Sequence, residues 1–443
     1  MSDTEIPKNE TNDEPVVYGH WLPEVPRWNW WKQFWTRFWA IPLALSVAAV
    51  AAGLVIPQID RAVGQSLPFL FEGGPDGARS VLTTISSAMI SVTGLVFSVT
   101  MVVLQLASNQ FTPRILESFL EERITQITLG VFAGTFLYAL TVLRCVHSET
   151  DTDTGFVPQI ATSLAFLSVI VSVGFFLAFI HHITTSIRVT NVIRDLSRRT
   201  INTMDCMIPG GSTIQPRQGA REWTPPRDGA VTPIVLEQAD DRLSDIDYPY
   251  LVKLAETLDT TIELTTQVGS YIGAVTQVGV VYAEVDEAAL TKIRKGLVLS
   301  PQRSLRQDIG FGIRQLVDIA SRALSPGIND PLTAVEAINA LHTILIRAVT
   351  RQTPVPYVTD KAGTIRLVYR PQTADELVEL AVTEIAVWGA GAVIVPEQLR
   401  RMLEILHGVA REEYRDTLNR MTELVNELDE TPGHARATNP AEK

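Results

Sequence analysis

The sequence predicts a membrane α-helical bundle of four transmembrane helices, followed by an α+β cytoplasmic domain that contains a small β unit. Three observations carry that expectation. Mean hydropathy is +0.14 even though the chain holds 37 basic and 49 acidic residues, so an apolar part and a charged part are being averaged. The apolar part runs from Ala40 to Ile183 and the charged part from Arg188 to the end. Within the first, four runs approach the roughly 20 apolar residues that a hydrocarbon core of about 30 Å demands of a helix. Within the second, β-branched segments alternate with amphipathic ones, and the length suffices to bury a core.

Residues 1–38 are expected to be a cytoplasmic N-terminus. They are polar and acidic up to Val16, with no short apolar core followed by a small-residue cleavage site, so the first apolar run is expected to stay as an anchor. Six of the eight tryptophans fall between Trp21 and Trp39. Trp28, Trp31, Trp35 and Phe38 share one helical face. Together with Trp39 they suit the headgroup level, where an indole satisfies both its apolar ring and its N–H. This segment reads as an interfacial anchor whose partner is the lipid bilayer, with an aromatic ligand box as the alternative.

The spans are placed at about 39–59, 83–106, 127–146 and 160–180, inside a transmembrane domain of 39–183. Pro42 suits the first turn of the first span, where a missing N–H costs nothing, and Pro57 bounds its far end. A buried soluble bundle is the competing reading, and four such runs in one half of the chain weigh against it. Basic residues set the orientation. Arg27, Lys32 and Arg37 precede the first span, Arg114 and Arg123 lie between the second and third, and Arg188, Arg194, Arg198 and Arg199 follow the fourth. Both termini are therefore expected in the cytoplasm. Cys145 and Cys206 would then lie on opposite sides of the membrane, unable to bond within one chain, and His181 and His182 read as interfacial residues rather than metal ligands.

The second span, "SSAMISVTGLVFSVTMVVLQLASNQ", is unusual in its polarity. Steps of three and four residues connect Thr84, Ser87, Ser91, Gly94, Ser98, Met101, Gln105 and Ser108, with Asn109 beside them, so the small and polar residues form one seam. Such a seam faces another helix or water. Packing within one chain and a pore shared by several copies are both open at this point.

Residues 184–247 are expected to be linker and turns, 248–430 the cytoplasmic α+β domain and 431–443 a flexible tail. Thr261–Thr266 and Ala274–Val285 read as strands, with Gly269 and Gly273 bracketing a turn, and Tyr248–Leu258 as a short helix. Arg303–Leu324 aligns Ile309, Ile313, Leu316, Ala320 and Leu324 on one face, as an amphipathic helix does. Asp318 and Arg322, four apart, are placed on its surface as an ion pair. Gly310 and Gly312 weaken that helix, which a close approach by another element or an unwound first turn explains. Then comes "SPGINDPLTAVEAINAL". Pro326 and Gly327 stop one helix, Asp330 caps the next and Pro331 opens it. The bland reading is a helix–turn–helix corner; the functional one is a polar pocket of Asp318, Arg322, Ser325, Asn329 and Asp330. Further helices are expected over Thr373–Ile385 and from Pro396 to about Asp429, broken near Gly408.

These stretches resemble a known family, the bacterial predicted membrane proteins grouped as domain-of-unknown-function family 2254. The residues that carry the resemblance are "SVTGLVFSVTMVVLQLASNQFTPR", "LGVFAGTFLYALTVLR" and, most specifically, "QDIGFGIRQLVDIASRALSPGINDPLTA", within about Trp35 to Leu345. The resemblance implies a multi-pass protein of the bacterial inner membrane with a cytoplasmic domain. It implies no catalytic residues.

The motifs of the familiar enzyme classes are missing: no H-E-x-x-H, no G-x-S-x-G, no phosphate loop and no G-x-G-x-x-G after a strand. No metal or other cofactor is expected, and a net charge of −12 without a basic run argues against nucleic acid. An enzyme with unfamiliar chemistry at the Asn329–Asp330 corner stays open as the weakest candidate, and two functions stand above it. One is a channel-like or transport-related homo-oligomer regulated by its cytoplasmic domain; the other is a membrane-tethered sensor or scaffold binding a cytoplasmic partner or small ligand.

Overall fold

The computed structural model describes residues 38–63, 73–110 (backbone alone for 106–110), 123–147, 156–186, 188–208, 223–226, 229–237 and 240–430. They form two compact units, one ending at Val192 and one beginning at Ile193.

The first unit holds α1 (Ala40–Val63), α2 (Pro75–Gln110), α3 (Arg123–Leu143) and α4 (Gln159–Ser186). Each differs from the expected span. α1, α2 and α4 run beyond it, and α1 continues through Pro57 instead of stopping there. α3 starts at Arg123 and ends at Leu143, so 144–146 lie past its end. The reason is that helices extend into polar flanks that a hydropathy argument leaves out. α3 packs against all three others, burying Leu129, Phe132, Tyr138, Ala139 and Val142. Its glycines make the approach to α1 close: a Cβ on Gly130 would stand 2.6 Å from Leu45 Cδ1 and 3.0 Å from Pro42 Cα. Across the α3–α4 contact Thr135 and Ser172 share a buried 3.1 Å hydrogen bond. Asp60 of α1 accepts the Ile160 and Ala161 N–H groups at 3.0 Å each, capping α4 from outside its own sequence.

Among the described residues five helices, rather than the expected four, are long and apolar enough to cross a membrane; the fifth is Pro331–Thr350. That helix buries Ala334, Ile338, Leu341, Ile344 and Leu345 inside the second unit.

The second unit begins at Ile193, within α5 (Val189–Met207). This corrects the expected linker: α5 and two strands lie within 184–247. The apolar positions of α5, Ile193, Leu196 and Met204, are separated by charged residues, and its buried face is completed by Ser197, Thr200 and Thr203. Strands β1 (Thr232–Leu236), β5 (Thr276–Val281), β3 (Ile262–Leu264), β8 (Ile365–Val368) and β7 (Tyr357–Thr359) form one sheet in that spatial order, with β3 and β8 parallel. Strands β4 (Tyr271–Ile272), β2 (Asp241–Ile246) and β6 (Leu297–Ser300) form a second. Helices α6 (Tyr248–Thr257) and α7 (Glu287–Arg294) complete a core around Leu243, Ile246, Leu251, Ile262 and Val281.

A helical bundle follows: α8 (Ile309–Ala323), α9 (Pro331–Thr350), α10 (Ala374–Gly389), α11 (Ile394–Val409) and α12 (Arg415–Glu430). α8 begins at Ile309 rather than Arg303 because Asp308 is its cap. α8 and α10 run parallel. Gln372, just before α10, accepts the Gly310 N–H at 2.9 Å near the start of α8, and Leu324 meets Gly389 where both helices finish. α9 and α11 return together, with Gln398 bonded to Asn339 and Arg411 N–H to Val349. The expected break near Gly408 separates α11 from α12.

Candidate functional site

The seam of α2 points away from its own bundle. The buried side of the helix is Leu82, Ile85, Met89 and Val96, whereas Thr84, Ser87, Ser91, Gly94, Ser98 and Gln105 are all exposed. Nothing stands within 4 Å of a Cβ built on Gly94. The hydroxyls turn back on the helix: Thr84 donates to the Ser80 carbonyl at 2.8 Å and Ser91 to the Ser87 carbonyl at 2.9 Å. The side chains of Ser108 and Asn109 lie outside the described residues. So do Trp28, Trp31 and Trp35 of the anchor; Trp39 is described and is 43% exposed.

Of the five residues named for the polar corner, Asp318 and Arg322 lie on α8 and Ser325, Asn329 and Asp330 on the turn after it. Asp318 is buried in α8 and takes the Arg314 guanidinium at 2.7 Å, so its expected place on the surface is corrected. Burial alone would lower the pKa of Arg314; its hydrogen bond to Glu384 and the charges of Asp318 and Glu384 outweigh that and raise it. Ser325, Asn329 and Asp330 sit on the outer turn. Ser325 Oγ donates to the Arg322 carbonyl at 2.6 Å, and the Ser325 carbonyl accepts the Ile328 and Asn329 N–H groups. Asn329 adopts φ +48°, a left-handed position that Asn tolerates better than most residues. Asp330 accepts both the Thr333 N–H and hydroxyl. The corner's polar atoms thus shape a turn and start α9.

At the other end of α8 the organising residue is Asp308, which carries no motif in the sequence. Its buried carboxylate receives Arg303 through two bonds at 2.7 and 2.9 Å, Gln372 Nε2 at 2.8 Å and the Phe311 N–H at 2.9 Å. Gly269, at φ +90°, leaves room for Asp308 Oδ2 where a Cβ would collide with it. Gly312 likewise admits Thr200 of α5, which explains its place in a helix.

Two concavities lie in the second unit. One, about 20 Å³, is lined by Tyr248, Gln267, Gln307, Tyr369 and Gln372, room for about one water. Burial, then Tyr369 and Asp245, raises the Tyr248 phenol far above its ordinary value, and burial pushes Tyr369 up to about 12. Both phenols therefore stay protonated at neutral pH. The other is a groove of about 360 Å³ between α9 and α11, lined by Asn339, His342, Gln398, Arg401, Met402 and Ile405. Burial lowers the His342 pKa, so the ring is neutral. Among the described residues no three His, Cys, Asp or Glu side chains converge as metal ligands, and Cys145 and Cys206 are free thiols.

A family profile described as "Predicted membrane protein (DUF2254)" matches residues 35–405. The uncharacterized proteins Rv1290c of Mycobacterium tuberculosis and Mb1321c of Mycobacterium bovis are each 32% identical over 336 residues, which is 73% of this chain and 63% of theirs. The chain therefore spans less than two thirds of the length of these relatives. No solved structure matches.

Proposed function

The chain belongs to the DUF2254 family of predicted membrane proteins, and from that premise we propose an oligomeric, channel-like assembly in the bacterial inner membrane. Each copy crosses four times, through α1–α4, with both termini and the second unit on the cytoplasmic side and that unit serving as a regulatory domain. The fifth apolar helix, α9, is left out of the count because its outer face carries Glu336, Asn339 and Thr343, which lipid would not solvate.

The observation that carries the reading is the outward-facing seam. Small and polar residues on a membrane helix favour close helix contact or water over acyl chains, and among the described residues no other helix of the protomer packs on this face of α2. Copies arranged about an axis would bring their seams together, lining a shared path with Ser91, Ser98 and Gln105. Mass measurement in lipid nanodiscs tests the oligomer, and flux from reconstituted vesicles tests the path. With Cys145 and Cys206 replaced, Ser98→Cys is expected to make flux sensitive to a water-soluble thiol reagent, and Ser98→Leu to reduce it. A monomer that leaves vesicles tight overturns the reading.

The groove between α9 and α11 favours a second reading, a membrane-tethered sensor. Its volume falls within the usual range for small-molecule sites, and Arg401 would suit an anionic ligand. That reading expects tight vesicles together with a ligand-dependent rise in melting temperature that Arg401→Ala removes.

A further inference from the structure

The second unit carries a concentrated apolar patch on its surface. α8 and α10 finish side by side, so the two turns that follow them, 324–330 and 390–393, lie next to each other at one end of the bundle. On and beside those turns Ile328, Leu332, Val387, Trp388, Val393 and Ile394 are exposed, Leu332 by 71%, Trp388 by 50% and Val393 by 86%. Scattered exposed hydrophobics are ordinary; six at two adjoining turns form a surface of the kind that marks an interaction site.

The course of α5 brings a basic segment toward that end of the second unit. Asp205, near its C-terminus, pairs with Arg347 and Arg351 at the far end of α9, and Thr200 packs on Gly312 in the first turn of α8. α5 therefore runs away from the apolar turns. Twelve residues before Asp205, Ile193 stands about 18 Å back along the helix, toward the end that carries them. The N-terminal half of α5 is basic, with Arg194 exposed and the Arg198 and Arg199 side chains 73% and 50% exposed, the last two sharing Asp195. The last apolar helix, α4, stops at Ser186, three residues before α5 starts.

We infer that this end of the second unit docks on the bilayer that anchors the chain, with Trp388, Val393 and Leu332 entering the headgroup layer and the basic half of α5 meeting anionic lipid. The chemistry matches both faces of the contact. An indole and branched aliphatic side chains leave water for the interface, and each basic residue near an anionic surface adds attraction. The inference rests on membrane attachment through α4 and not on the seam of α2, so it survives if the assembly proves monomeric or non-conducting.

The test uses the full chain, lacking Cys145 and Cys206, in vesicles of phosphatidylcholine with and without phosphatidylglycerol. Val393→Cys carries an environment-sensitive fluorophore. Val275→Cys is the control: it is 73% exposed, but it belongs to the β unit, which meets the bundle at the opposite end, where Gly269 touches Asp308. The expected result is quenching at 393 by lipids with a nitroxide near the headgroup, several-fold stronger than at 275, and strengthened by phosphatidylglycerol until Arg194→Glu is introduced. Trp388→Cys is expected to behave as Val393→Cys does. Equal quenching at 393 and 275, or a 393 label that dissolved iodide reaches as freely as the 275 label, overturns the inference. So does disulfide formation between copies of the unlabelled Val393→Cys variant without lipid quenching of the labelled one, which would assign the patch to a second copy.

Discussion

The two units are built for different surroundings. In the first, large apolar side chains such as Val47, Leu54, Phe97, Val102, Phe166 and Leu177 point outward, while Thr125, Thr128, Thr135, Thr162 and Ser172 are buried. In the second, the buried residues are mainly apolar, and the charges kept inside are hydrogen-bonded, as Asp308 is. Each unit carries a concentrated departure from its rule, and the two mirror each other. The α2 seam is polar where its unit's surface is greasy; the turns beyond α8 and α10 are greasy where their unit's surface is polar. The contrast teaches that an exposed residue is informative only against the solvent its own unit was built for.

The largest effect expected on this contrast is at Asp308. Asp308→Ala leaves Arg303 and Gln372 without their shared acceptor in a buried place, and breaking such a pair costs roughly 3–5 kcal/mol. Denaturation of the detergent-solubilised protein, followed by the fluorescence of Trp223 and Trp388 in a background where the six tryptophans from Trp21 to Trp39 are replaced by Phe, should register that loss without disturbing α1–α4. Next comes a pair of glycines. Gly130→Leu forces a side chain into Leu45 and Pro42 and should cost about 1–3 kcal/mol by overpacking. Gly94→Leu meets open space, so it should leave the protomer's thermal stability unchanged while altering the mass of the assembly. If both variants destabilise the protomer equally, the seam is packed within one chain and the contrast fails.

A smaller effect is expected at Asp330. Losing its cap on α9 should cost about 1 kcal/mol with no change in vesicle flux, which separates a turn-forming residue from a functional one. The least is expected from acid. Burial tends to raise the Asp360 and Glu376 pKa values, but the bonds Asp360 accepts from Arg366, Thr364 and Ala362, and those Glu376 accepts from Gln267, Arg370 and Thr373, hold both below the ordinary carboxylate range. Their contribution to stability is therefore complete above the unfolded values near about 4 and is lost as pH falls through the folded ones. Asp360→Asn should flatten the acid limb of the second unit's stability curve.

Much of this architecture can be read along the chain because its causes are local. Apolar runs announce α1–α4, Asp330 and Pro331 announce α9, and Thr373 announces α10 through a capping box with Glu376. What escapes a linear reading is whatever depends on distant partners. α5 looks like a basic flank until Leu305, Gly312 and Arg351 are seen against it. Parallel pairing of Ile262 with Leu367 has no local signature. The α2 seam is legible as a face, but only the packing of α3 on the other side shows that the described helices leave it exposed. Asp308 and its partner Gln372 lie 64 residues apart, so the hub could not be assembled by eye.

Asp60 carries a last consequence, one for biosynthesis. Its carboxylate holds the Ile160 and Ala161 N–H groups from 100 residues away. A nascent chain that has delivered only α1–α3 therefore carries the acceptor without its donors. The latch closes only once the ribosome has produced the start of α4, so this tie between the first and fourth helices is among the last of the bundle's contacts to become available.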